Sequence, residues 1–296
     1  MTAKIIKGVG GFYYVNTEKF GIVECKAVGK FRNQHIKPMV GDDVSVTVTD
    51  EQNLKGVIDE IYPRRLQLVR PFISNVDNAM IVVAASKPDP NLFLLDKFLI
   101  MLLQQGLKPF ICINKKDLVT EEELKALAEP YEAAGYEVIT VSGKYDDDIE
   151  KVKEKLKSKT TVIAGTSGVG KSTIINRLQS SVIMETGEIS KKLKKGKHTT
   201  RHSELICVDS DTYIMDTPGF SSLEVEFEDV WEIRRFYPEF EEAEKECDFS
   251  DCLHINEPRC GVKNLVKNNP VLLSRYENYK LMVDEFKGRR IDYRHE

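Results

Sequence analysis

Apolar and polar residues alternate with a period of two through the first 64 residues, the pattern of strands that give one face to a core and the other to water. Five strands are expected, over 3–7, 12–15, 20–26, 43–48 and 56–62, with Gly10-Gly11, Asn16 and Gly41-Asp42 as turns between them. Five short strands in so small a unit predict a partly open barrel of the OB type over residues 1–66. After a linker at 63–71 the period changes. Apolar runs at 79–85, 109–113, 137–142 and 160–164 alternate with amphipathic stretches at 94–105, 121–134, 147–156 and 173–178, and a hairpin of 205–208 with 213–215 follows. That alternation predicts an α/β domain over 72–224, its parallel sheet covered on both faces and its ligands at the carboxyl ends of the strands. In the last segment, 225–296, Asn269 is expected to cap a helix with Pro270 at its first position. Leu272, Tyr276, Tyr279, Val283 and Phe286 then recur at helical spacing as a packing face.

The chemistry concentrates where the strand 160–164 ends, in Gly165-Thr166-Ser167-Gly168-Val169-Gly170-Lys171-Ser172-Thr173. A strand, a glycine-rich turn and a helix start together make a phosphate cradle: the glycines let bare backbone approach the anion, and unpaired N–H groups open the helix. Lys171 is expected to reach the β- and γ-phosphates and Ser172 to ligate magnesium through its hydroxyl.

At the end of the strand 109–113 stands Asn114-Lys115-Lys116-Asp117. A carboxylate accepts two hydrogen bonds at once, which suits the adjacent N1–H and N2 amino group of guanine and not the acceptor edge of adenine. Asp117 would read the base, Asn114 would brace the loop, and the stem of Lys115 would pack on the base. One strand further, Ser142-Gly143-Lys144 is expected to meet the base with backbone N–H groups. Asp216, at the end of the strand 213–215, suits water-mediated magnesium binding, and the Gly219 N–H would touch a γ-phosphate. Either Thr199 or Thr200 would add a magnesium-binding hydroxyl. The ligands expected are therefore GTP or GDP with magnesium. A kinase or ATPase, which has no need of Asn114 and Asp117, is the enzymatic competitor. An RNA-binding assembly factor holding a structural nucleotide is the other.

Composition adds two things. Residues 1–70 carry 11 Lys and Arg against 8 Asp and Glu, whereas the whole chain has net charge −4, so the barrel is the favoured place for a polyanion. Within it Lys26, Lys30, Arg32 and Lys37 surround Phe31 with no acid between 26 and 37, a set suited to RNA phosphates and a stacked base. Second, no apolar run approaches bilayer length, and six cysteines in such a chain read as thiols or ligands, so a cytoplasmic protein is expected. Cys247, Cys252, His254 and Cys260 fall within 14 residues, and three thiolates with an imidazole make a closed tetrahedral zinc site of structural character. Cys25, Cys112 and Cys207 lie in strand patterns as buried thiols.

The base-reading loops at 114 and 142 precede the phosphate loop at 165, the reverse of the usual GTPase order. With Val40-Gly41-Asp42, Asn75-Val76-Asp77, Gly196 to His202, Asp216 to Ser222 and the cysteine cluster, the chain resembles the circularly permuted, ribosome small-subunit-dependent GTPase A family over nearly its whole length. The resemblance implies a GTPase that binds the small ribosomal subunit and its rRNA, acts late in its maturation, and hydrolyses GTP faster when bound there. A monomer is expected. Ser142-Gly143 departs from the Ser-Ala usual in GTPases. Phe220 stands where many GTPases carry a Gln to orient water, and His198 is the residue expected to do so instead, as the resemblance also suggests.

Overall fold

The computed structural model describes residues 2–33, 36–69, 71–144, 148–186, 204–216 and 225–292. It divides into two compact units, one of Met1–Met80, Asp147–Ala164 and Lys171–Phe220, the other of Ile81–Asp146, Gly165–Gly170 and Ser221–Glu296.

In the first unit β1 (Thr2–Val9), β2 (Phe12–Thr17), β3 (Gly21–Ala27), β4 (Asp43–Asp50) and β5 (Lys55–Ile61) form a barrel in the order β1-β2-β3-β5-β4. The barrel is closed rather than partly open, because β1 pairs antiparallel with β4 and β3 pairs parallel with β5. Its core is Ile5, Val15, Val23, Cys25, Val44, Val46 and Ile58, one residue in two along each strand, and Phe31 is buried among them. The stretch after β3 is a single helical turn, α1 (Lys30–Asn33), which seats the Phe31 ring in that core at 5% exposure. Phe31 is therefore a plug for the barrel and not the stacking surface its cationic neighbours suggested. Lys26, Lys30 and Lys37 are exposed.

Val40-Gly41-Asp42 and Ser74-Asn75 meet where the barrel joins the linker, which contains the short pair β6 (Gln67–Leu68) and β7 (Ile73–Ser74). The buried Asp42 carboxylate accepts from Met39 N (2.8 Å), Arg64 Nε (2.7 Å) and Nη2 (2.9 Å), and Ser74 Oγ (2.6 Å). Asn75 donates to Gly41 O and Asp43 Oδ2 and accepts from Arg65 N. Gly41 has φ 92°, and a Cβ there would overlap Ser74 O, so the close approach requires glycine.

The α/β sheet contributes to both units through β8 (Asn78–Ala84), whose first residues fall in one and last in the other. The second unit carries the order β10-β9-β8, from β9 (Pro109–Asn114) and β10 (Val138–Val141), with α2 (Leu92–Gln104) and α3 (Glu121–Ala133) as connections. Asn91 caps α2 by accepting from Leu94 N, and Thr120 with Glu123 forms a capping box on α3. The first unit carries β8-β11-β13-β12, from β11 (Thr160–Ala164), β12 (Leu205–Cys207) and β13 (Tyr213–Asp216), with α4 (Ile149–Leu156) and α5 (Lys171–Thr186). β9 and β10 run parallel, as do β11 and β13, and β12 closes the edge antiparallel. Every residue of β9 and of β11 is buried, as strands covered on both faces require.

The rest of the second unit is α6 (Glu241–Glu244), α7 (Gly261–Asn268) and α8 (Leu273–Asp292), with 3-10 turns at Val230–Phe236, Pro238–Phe240 and Pro270–Leu272. Leu272, Tyr276, Tyr279 and Val283 are buried in its core as the periodicity predicts, with Phe286 packed against them. Asn269 makes no side-chain cap; its backbone, at φ −127° and ψ 81°, only leads into the turn that opens on Pro270.

Candidate functional site

The loops at 114–117 and 142–144 and the glycine loop meet within the second unit. Asn114, the last residue of β9 and buried, donates from Nδ2 to Val169 O (2.8 Å) and accepts at Oδ1 from Gly143 N (2.9 Å). One amide thus ties three loops. Lys115 has φ 64°, which turns the chain sharply off the strand, and its ammonium donates to Gly168 O (2.7 Å) and to Lys87 O. Asp117 sits exposed on the 3-10 turn Lys116–Leu118, its Oδ1 accepting from the buried Ser142 hydroxyl at 2.6 Å. That bond anchors one oxygen of the exposed carboxylate beside the end of β10. The expectation for 142–144 changes in one respect. The Gly143 N–H, expected at the base, is directed to Asn114, so this residue braces the pocket instead. Lys144 is exposed.

Gly165, Gly168 and Gly170 have φ of 139°, 82° and 99°, all in the region open to glycine. A Cβ at Gly165 would overlap Val82 O, and one at Gly170 would overlap Asn114 Nδ2, so the loop presses against β8 and the guanine loop without room for a side chain. Thr166 and Val169 line a small cleft with the end of β8 and the start of α2.

Past Gly170 the chain enters α5, in the first unit, where Lys171 is its first residue and Ser172 and Thr173 are exposed. Burial lowers the Lys171 pKa, and the Asp216 charge opposes that shift. Asp216 ends β13 opposite Ile163 of β11, and its Oδ1 is buried without a hydrogen-bond partner among the described residues. An orphaned carboxylate oxygen near an ammonium and a helix start fits a hydrated divalent cation. His198, Thr199, Thr200 and Gly219 lie outside the described residues.

The ligand atoms of Cys247, Cys252, His254 and Cys260 all lie within 4.8 Å of one another, and all but Cys247 are fully buried. His254 presents Nδ1 to the sulfurs, 3.3 Å from Cys260 Sγ and 3.6 Å from Cys247 Sγ, and those two sulfurs are 3.9 Å apart. Burial pushes the Cys252 thiol up to about 12 and holds His254 below its ordinary value, hence neutral. A neutral imidazole and three cysteine sulfurs clustered so closely are a donor set that fits one zinc ion. Glu257 supports the loop by accepting from Leu253 N and Ile255 N, both at 2.8 Å. Cys25 and Cys112 are buried, their thiols pushed up to about 11 and about 12 by burial, and Cys207 is half-buried.

Residues 61–226 match the family model described as RsgA GTPase, and residues 2–58 match that described as RsgA N-terminal domain. The chain belongs to the RsgA GTPase family. A small ribosomal subunit biogenesis GTPase RsgA of Agathobacter rectalis is 50% identical, over 98% of this chain and 99% of its own. The protein of that name from Alkaliphilus metalliredigens is 46% identical over 97% and 98%. Among solved structures, YloQ, described as a circularly permuted GTPase, superposes with TM-score 0.76 at 36% identity, covering 97% of this chain and 95% of its own. YjeQ from Thermotoga maritima gives TM-score 0.75 at 35% identity over 97% and 98%.

The strand order agrees with a circularly permuted GTPase: β9, which ends in the loop 114–117, precedes β11, which leads into the glycine loop. The Ser142 hydroxyl on Asp117 and the Lys87 carbonyl on Lys115 escaped the sequence reading, since neither lies near its partner in the chain. Among the described residues no helix is long and apolar enough to cross a membrane.

Proposed function

We propose that this chain is a magnesium-dependent GTP hydrolase that binds the small ribosomal subunit and couples hydrolysis to a late step of its maturation. The observation that carries the guanine and phosphate part is the Asn114 amide holding Val169 O and Gly143 N together, with Asp117 presented by Ser142. The names of the Agathobacter and Alkaliphilus relatives support the ribosomal part. In this reading Asp117 takes the guanine N1–H and N2 amino group, Lys115 covers the ring, and Gly165 to Thr173 cradle the phosphates. Ser172, Asp216 and one of Thr199 and Thr200 would hold magnesium, which offsets charge on the β- and γ-phosphate oxygens when bound. His198 orients the attacking water, and the Gly219 N–H meets the γ-phosphate.

The working segments are the barrel over 1–66, the permuted GTPase domain over 72–224 and the zinc-bearing helical domain over 225–296. Lys26, Lys30, Arg32 and Lys37 are the proposed rRNA contacts, and the protein works as a cytoplasmic monomer with one zinc. GTP turnover is measured against titrated small subunits, with free RNA and magnesium-free buffer as comparisons. Stimulation by the subunit that free RNA does not reproduce is expected, together with loss of guanine preference in Asp117→Asn. Equal turnover of ATP and GTP by the parent protein would overturn the reading.

A further inference from the structure

His254 uses both ring nitrogens. Nδ1 faces the sulfurs of Cys247 and Cys260, while Nε2 points to Glu244 Oε1 at 3.2 Å. The other Glu244 oxygen, Oε2, faces Arg234 Nε at 3.8 Å, and Arg234 Nη1 donates to Cys252 O at 3.1 Å. The carboxylate is thus oriented by a cation that is itself anchored to the cysteine loop. Around the ring little else can turn. The His254 backbone has φ 60°, its carbonyl accepts from Tyr276 Oη at 2.5 Å, and the Leu253 carbonyl accepts from Tyr279 Oη at 2.9 Å. The Phe240 ring packs against the imidazole, with centroids 6.0 Å apart.

An imidazole that ligates a metal through one nitrogen carries its proton on the other, and an acceptor there decides which tautomer forms. We propose that Glu244 is a positioning residue for the metal centre: by accepting the Nε2 proton of His254 it fixes Nδ1 as the ligating atom and raises its basicity toward zinc. The proposal rests on the reading of Cys247, Cys252, His254 and Cys260 as one zinc site. Glu244 lies on α6, whose carbonyl at Glu244 also accepts from Cys247 N, so the helix that supplies the carboxylate also leads into the first cysteine. Without the carboxylate the imidazole is free to keep its proton on Nδ1, which then donates toward a sulfur and has no lone pair for the metal, and the ligand set loses its fourth member for part of the time.

Zinc affinity of the full-length protein is measured by competition with a coloured chelator, for the parent, Glu244→Ala, Glu244→Gln and, as an exposed neighbour on the same helix, Glu242→Ala. A bound zinc in the parent, about 10- to 100-fold weaker in Glu244→Ala, is expected. Glu244→Gln, which keeps an acceptor, should recover most of the loss, and Glu242→Ala should match the parent. Ring-nitrogen NMR of the zinc-loaded protein supplies a readout that a merely structural role would not move. In the parent and in Glu244→Gln the His254 proton should sit on Nε2 and exchange slowly; in Glu244→Ala it should exchange fast. Parental zinc affinity and slow exchange in Glu244→Ala would overturn the positioning role and leave the zinc site standing. A parent that binds no zinc would overturn the site itself and the proposal with it.

Discussion

Asn114 satisfies two buried backbone groups with one amide, and the pocket's geometry depends on both. Truncation to Ala strands Val169 O and Gly143 N, at about 1–3 kcal/mol for each buried group left unpaired. Asn114→Ala should therefore bind GTP at least about tenfold more weakly by calorimetry, about 1.4 kcal/mol, because the loops it joins lose their spacing. Asn114→Asp should do no better, since its second oxygen would face the Val169 carbonyl. The bracing role of Asn114 was legible from its place at the end of an apolar strand. The direction of the Gly143 N–H was not, because a tetrapeptide pattern names residues and leaves open which of two nearby acceptors a backbone donor meets. Phe31 differs for a related reason: Lys26, Lys30 and Lys37 on its flanks are exposed as expected, while the ring itself faces the barrel core.

The helices of the second unit are joined by a buried charge cluster rather than by apolar contact alone. Arg275 of α8 donates to Asp96 Oδ1 of α2 at 2.5 Å and to Glu239 Oε1 at 2.8 Å, and Asn278 donates to Asp96 Oδ2 at 2.8 Å. The guanidinium lies 4.7 Å from the Tyr237 ring centroid and 5.2 Å from that of Tyr131. Burial opposes the Arg275 charge, but Asp96 and Glu239 outweigh it and hold its pKa well above the usual value. Breaking such a pair leaves two carboxylates buried without a counter-charge, which costs about 3–5 kcal/mol. Urea denaturation of Arg275→Met should show that loss, and Arg275→Met combined with Asp96→Asn and Glu239→Gln should regain part of it. A single variant as stable as the parent would mean that the cluster is neutralised by water or protons. Sequence periodicity found the face of α8 that carries Tyr276, Tyr279 and Val283, with Leu272 in the turn before it, yet gave no hint of Arg275. Helical spacing sorts apolar from polar, and a charge that finds its partner 179 positions away leaves no local trace.

For the molecule as a whole, the order of motifs was the most legible property. A sheet packs the same way wherever its chain begins, so guanine loop before phosphate loop already implied the permutation that β9 and β11 display. Charge distribution is legible at the same scale: residues 1–70 are basic within a chain of net charge −4, and Lys26, Lys30 and Lys37 are exposed on or beside the barrel. Binding to an rRNA surface through such a face releases counterions, so affinity falls with salt by a slope of about 0.7–0.9 per phosphate contact. If those three lysines each meet a phosphate, the triple change to Ala should flatten the slope of log affinity against log salt by about two to three, read by co-sedimentation with small subunits. The effect should be largest at low salt and fade as added salt screens the parent toward the variant. A variant that binds more weakly by the same factor at every salt concentration would instead assign the lysines to the folding of the barrel rim, and would move the rRNA contact to another part of the chain.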